Sequence, residues 1–149
     1  MLSIQLNLSE KSRKMLKKMP GLVVPALFKG MKQAMLLAER TVRGEYLSGK
    51  ALKRRSGRLR GSITHDVRIE GDRVVGRIGT NVVYGRIHEL GGVITAKNAK
   101  YLKFNIPGVG WRMAKSVTIP KRPFLRPSLE DNMSDIGRIL AKRVEEAFR

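Results

Sequence analysis

The sequence contains no cysteine. Disulfides are therefore excluded, and so are cysteine-based zinc and iron–sulfur sites. Histidine is nearly absent, with two residues, so a His-rich metal site is excluded as well. Aromatic residues make up only 5%. Long apolar runs are missing: the longest stretches, such as "GLVVPALF", fall far short of the ~20 residues that span a bilayer. The start, "MLSIQLNLSEKS", has no positive segment followed by an apolar one, so it does not read as a signal peptide. The expectation is a soluble protein made and kept in a cytoplasm, with no membrane partner. Acidic residues are also scarce. Twelve stand against 31 Lys and Arg, a formal charge of +19.

What is present is enough for one ordinary domain, expected over 1–149. A chain of 149 residues buries roughly 68–70% of its unfolded surface, and 42% apolar residues can supply the core. The charge is uneven. Residues 11–60 hold fifteen Lys/Arg against two acids, whereas 127–149 hold four against five. Such an excess repels itself and calls for an oppositely charged partner, either nucleic acid or an acidic protein surface.

"LSIQLNL" (2–8) alternates as a short strand. Ser9 then caps a short basic helix that stops before Pro20-Gly21. A long helix is expected over 22–47, with Leu27, Met31, Ala34, Ala38 and Val42 or Thr41 as its apolar stripe and Pro25 in its first turn. "SGKALKRRSGR" opens an exposed basic loop, 48–60. "GSITHDVRIE" and "RVVGRIGT" flank Gly71-Asp72, a hairpin turn. Pairing Glu70 with Arg73 places Asp66 opposite Arg77, and leaves Ile63, His65, Val67, Ile69, Val74 and Ile78 on the other face. "VVYGRIHELGG" (82–92) reads as one or two helical turns ended by glycine. "KYLKFNI" (100–106) and "AKSVTIP" read as strands around the turn "PGVGW". Leu129, Met133, Ile136, Leu140, Val144 and Phe148 mark an amphipathic helix over 128–148, with Ser128 and Asp131 as a capping box. The fold class that follows is α+β: a mostly antiparallel sheet packed by the long helix and the C-terminal helix.

No catalytic constellation emerges. "GEYLSGKA" (44–51) nearly matches a phosphate loop, but Ala51 replaces the magnesium-binding hydroxyl and the segment follows a helix. "HEL" (88–90) begins like a zinc-protease motif, yet position 92 is glycine where the second His is needed. His65 falls on an apolar strand face and reads as a satisfied core histidine. No enzyme, metal, cofactor or small-molecule substrate is expected. The densest charge feature is Lys50, Lys53, Arg54, Arg55, Arg58 and Arg60. No aromatic interleaves it, which argues against base stacking; contact with phosphate would be nonspecific. On composition alone, a basic ribosome- or nucleoid-associated protein fits. In "IPKRPFLRPSLED" (119–131) two prolines fix the backbone where strand becomes helix. Phe124 is placed to anchor that corner in the core, with Arg122 and Arg126 outside.

Three segments together resemble the tail-completion, or virion-morphogenesis, proteins of tailed bacteriophages. They are "RRSGRLRGSI" (54–63), "VVYGRIHELGG" and "IPKRPFLRPSLED". The matching positions are Ser56, Gly57, Arg58 and Leu59; Tyr84, His88, Glu89, Gly91 and Gly92; and Ile119, Pro120, Arg122, Pro123 and Phe124. The order of elements matches as well, and segment 95–118 is longer than in the smaller members. The resemblance implies a non-enzymatic subunit of the virion neck that completes the tail and helps join head to tail. It would assemble in the host cytoplasm as a homo-oligomeric ring of about six subunits around the DNA channel. Its partners would be other neck, connector and tail proteins, with nonspecific contact to genomic DNA. The basic loop would face DNA or a partner.

Overall fold

In the computed structural model of the chain, residues 2–6, 10, 14, 20–53, 57–71 and 73–149 are described. The fold is α+β. Strand β1 (Leu2–Leu6) is followed by helix α1 (Pro20–Gly44), a short 3-10 turn (Tyr46–Ser48) and one helical turn, α2 (Arg58–Gly61). Strands β2 (Ile63–Glu70) and β3 (Arg73–Thr80) come next, then helix α3 (Val83–Leu90). Four short strands precede the last helix: β4 (Gly92–Thr95), β5 (Leu102–Ile106), β6 (Gly110–Ala114) and β7 (Ser116–Ile119), then α4 (Arg126–Glu146). Glu10 and Lys14, two positions of the expected basic helix, are helical; the remainder of that helix, and its Ser9 cap, lie outside the described residues.

Strands β1, β3 and β2 form one antiparallel sheet in that order. The hairpin register is the expected one, with Glu70 opposite Arg73 and Asp66 opposite Arg77. Gly71 turns the chain at φ +61, where a side chain is disfavoured. Two of the ion pairs run otherwise than straight across: Asp66 is held by Arg68 and Glu70 by Arg77, each at 2.5 Å. Ile63, Val74 and Ile78 are buried, but Ile69, at the turn end, is 51% exposed. His65 is half-buried and satisfied as expected: Glu39 of α1 meets its Nδ1 and also pairs with Arg43 at 2.8 Å.

Helix α1 lies across the sheet and against α4. Val23, Leu27, Met31, Ala34, Met35, Ala38 and Val42 form its buried stripe. Gly76 of β3 permits the approach: a Cβ there would stand 2.8 Å from atoms of both Met31 and Met35. The helix starts at Pro20, two residues earlier than expected, so exposed Pro25 sits in the second turn and not the first. Proline suits a first helical position, which explains the earlier start. The helix ends at Gly44, not Leu47, because Ser48 Oγ turns back to donate to Arg43 O at 2.8 Å. By length and apolar content, Gly21–Ser48 could cross a membrane. Here its apolar stripe is covered by the sheet and α4, which makes it the core helix of a folded body.

The segment 48–60 is not loop throughout. Tyr46 and Leu47 are buried, Ala51 and Leu52 pack against the core, and Arg58–Gly61 is helical. Helix α4 begins at Arg126, two residues before Ser128, and the expected capping box does not form. Ser128 Oγ donates to Leu125 O at 2.7 Å, and Asp131 binds Tyr46 and Lys50. The inward face of α4 holds Ser128, Leu129, Asn132 and Ile136, while Met133 and Phe148 are half exposed.

Residues 92–119 make an antiparallel ribbon in two steps. β4 pairs with β7, and further along the chain β5 pairs with β6. Gly91-Gly92 gives no sequence signal for β4, and the expected strand "AKSVTIP" is interrupted at Lys115, so that Gly110–Ala114 and Ser116–Ile119 pair with different partners.

Candidate functional site

The two glycine- and proline-rich motifs form one joint. Helix α3 enters from extended Val82, whose N–H donates to Thr80 Oγ1 at 3.1 Å. Gly85 packs tightly there: a Cβ would meet Thr80 Cγ2 at 2.6 Å and Leu59 Cδ1 at 3.3 Å. The helix ends at Gly91, whose φ of +72 few side chains tolerate, and whose N–H caps Ile87 O at 2.8 Å. A Cβ on Gly91 would also stand 3.0 Å from the Lys121 backbone nitrogen. Gly92 then pairs with Ile119, which brings the proline corner alongside α3.

At this junction Arg122 N–H donates to His88 O at 2.8 Å. Three residues then bind one carboxylate. Phe124 and Leu125 N–H donate to Glu89 Oε2 at 2.7 and 3.0 Å, and Arg126 N–H donates to Oε1 at 3.1 Å. Glu89 is 4% exposed. It does from a distant helix what an N-cap side chain does locally, and its charge sits at the positive end of α4. Pro127 brings no N–H that needs a partner. This is why Ser128 and Asp131 are released for other contacts. Phe124 and Leu125 are both fully buried, as expected for the corner, and Arg122 and Arg126 stay exposed.

A cavity of about 490 Å³ opens beside the joint. Leu47, Leu52 and Leu59 give it an apolar floor; Lys53, Arg60 and Arg122 reach it with Tyr84 and His88. Among the described residues it has no carboxylate in its lining. The His88 ring meets Tyr84 edge to face. Burial, and then the Arg122 charge, push His88 below the usual histidine range, so it stays neutral near pH 7. Its Nδ1 is buried without a hydrogen-bond partner.

The basic residues expected to act together separate. Lys50 is bound to Asp131 at 2.7 Å and lies over the Tyr46 ring. Hydrogen bonds from Lys50 and Tyr46 hold the Asp131 carboxyl below the usual carboxylate range. Lys53 is exposed at the cavity, and Arg60 is half-buried, its Nε donating to Arg43 O at 3.0 Å. Arg58 is exposed but already engaged, and Arg54 and Arg55 lie outside the described residues. Arg122, assigned by sequence to the proline corner, joins Lys53 and Arg60. Sequence reasoning missed two clusters, Tyr46–Lys50–Asp131 and Glu39–Arg43–His65. Each holds a local pair four residues apart, Tyr46 with Lys50 and Glu39 with Arg43, but its third member comes from a distant element, which no spacing shows.

Among the described residues, no group of three or more His, Asp or Glu could hold a metal ion. The site is a joint and a cation-lined hollow. The model of the phage virion morphogenesis family matches residues 32–148. The chain belongs to that family. The match runs from α1 through the joint and the ribbon to the end of α4. As a virion morphogenesis protein, it is virion-associated and has a structural or assembly role. A search of curated proteins and of solved structures finds no match.

Proposed function

We propose that this virion morphogenesis protein completes the tail and helps join head to tail, as a ring of about six subunits around the DNA channel. The reading is non-catalytic. One observation supports its finer part: the cations are sorted. Lys50, Arg68, Arg77, Arg126, Arg138, Arg143 and Arg149 each pair with a carboxylate. Lys53, Arg60 and Arg122 have no carboxylate partner among the described residues and share one hollow. They make a basic surface that faces the channel or a neighbouring neck or tail protein. Passing DNA suits charge contact without stacking, because phosphate is matched without grip on the bases. Composition favours a cellular nucleic-acid binder, but membership in a virion morphogenesis family speaks for a part of the virion.

Replacing Lys53, Arg54, Arg55 and Arg58 together by Gln tests this. The subunit should melt like the parent. Particles that lose DNA or fail to deliver it indicate a channel surface; tails that never join heads indicate protein docking. Full infectivity would remove both roles. The ring is tested by counting copies on isolated particles, where a single copy would refute it.

A further inference from the structure

The base of the ribbon 92–119, where β4 meets β7, brings the proline corner to α3; the rest, β5 and β6, has no strand pairing outside the ribbon among the described residues. Yet the ribbon carries seven of the fifteen exposed large apolar residues among those described: Val93, Ile94, Tyr101, Ile106, Val109, Trp111 and Met113. Trp111 and Met113 are each 63% exposed. That concentration on one element marks a surface that becomes covered. The ribbon also carries Lys97, Lys100, Lys103, Arg112 and Lys115, with no acid anywhere from 91 to 122. Its partner must therefore be both apolar and acidic. Duplex DNA would match the charges but leave the apolar side chains wet.

We propose that the ribbon of one copy lies across the outer face of α4 of the next copy. That face has the complementary character. Met133, Gly137 and Ala141, four residues apart, form one exposed ridge of the helix, and Phe148, half exposed, follows just past its end. Gly137 has nothing within 4 Å of where a Cβ would be, so the ridge is flat there and admits close approach. Glu130 and Glu145 flank it. Their present partners are Arg126 and Arg149 on the same segment. Such exposed pairs are weak and exchange readily for a basic ribbon. A ribbon and a helix face are different surfaces, so the contact is heterologous and runs head to tail, the arrangement that generates a ring. The inference rests on the ring reading and names the contact that builds it.

The absence of native cysteine makes the test clean. A chain carrying Met113→Cys together with Gly137→Cys, or with Ala141→Cys, is incorporated into particles and oxidised. Linkage from each copy to the next should give a ladder of covalent multimers. A control pairing Met113→Cys with Arg68→Cys, on the hairpin, should give at least about tenfold less. Glu130→Lys with Glu145→Lys should abolish assembly, and Lys103→Glu with Arg112→Glu should restore it. Particles that hold several copies but give no ladder would overturn the ribbon contact and leave the ring standing. A single copy per particle would overturn both. Binding of the purified chain to anionic lipid vesicles, unchanged by the α4 reversal and without any ladder, would assign the ribbon to a membrane and overturn it too.

Discussion

Glu89 is the residue on which the most depends. Its carboxylate takes three backbone N–H groups that would otherwise be left without acceptors. Glu89→Ala should lower unfolding free energy by about 2–4 kcal/mol, read from urea titrations with an unchanged slope. Glu89→Gln keeps an acceptor but loses the charge, and should cost less. Gly91→Ala should cost about 1–3 kcal/mol, because its positive φ and the nearby Lys121 backbone both oppose a Cβ. His88 gives a pH signature. Its folded pKa lies below the unfolded value of about 6.5, so the unfolded chain binds more protons as pH falls through that value. Stability should therefore drop on acidification below about pH 6.5, until the folded pKa is passed. His88→Gln should flatten that part of the profile, measured as melting temperature from pH 7 to 5.

At the level of elements, α1 and α4 differ in how their placement is achieved. α1 is held by its long stripe and by the glycine at position 76. Gly76→Val should destabilise by about 1–3 kcal/mol, since Met31 and Met35 must both move. α4 is held at its start. Phe124→Ala should cost about 3–5 kcal/mol, as its ring is fully buried, whereas Arg126→Ala on the exposed side should stay within about 0.5 kcal/mol. Thermal melts of the two variants side by side check this. The ribbon belongs to a third class. Two-stranded ladders with exposed side chains open locally at low cost. Amides of β5 and β6 should exchange with solvent well before those of β3 in the free subunit, and should become protected on assembly.

For the molecule as a whole, charge decides the behaviour. A formal +19 is not spread evenly over partners: Arg138 and Arg143 of α4 and Arg68 and Arg77 of the hairpin are matched, and the hollow at Lys53, Arg60 and Arg122 is not. If that hollow meets phosphate, nonspecific binding of duplex DNA should weaken steeply with salt. Lys53→Gln with Arg122→Gln should reduce the slope by about 1.8, at about 0.9 for each phosphate no longer neutralised. An unchanged slope would move those residues from DNA to a protein partner.

The amphipathic periods of α1 and α4, the hairpin register and the glycine end of α3 were all legible in the sequence. Each is a local property: side chains three, four or two residues apart share a face whatever surrounds them. The burial of Phe124 was legible too, since prolines on both sides left that corner one plausible direction. The helix boundaries were not, because they depend on which N–H and C=O groups find partners elsewhere. Ser128 and Asp131 have the spacing of a capping box, but Glu89, 39 residues upstream of Ser128, occupies the position first. Lys50 belongs to a basic run by sequence, and folding sets it against Asp131 instead. The hollow unites Lys53 and Arg60 with Arg122 only because β4 pairs with β7 and carries the proline corner back to α3. Sequence determined the faces of the elements. Tertiary structure decided which faces and charges were satisfied within one copy, because that depends on contacts between residues far apart in the chain.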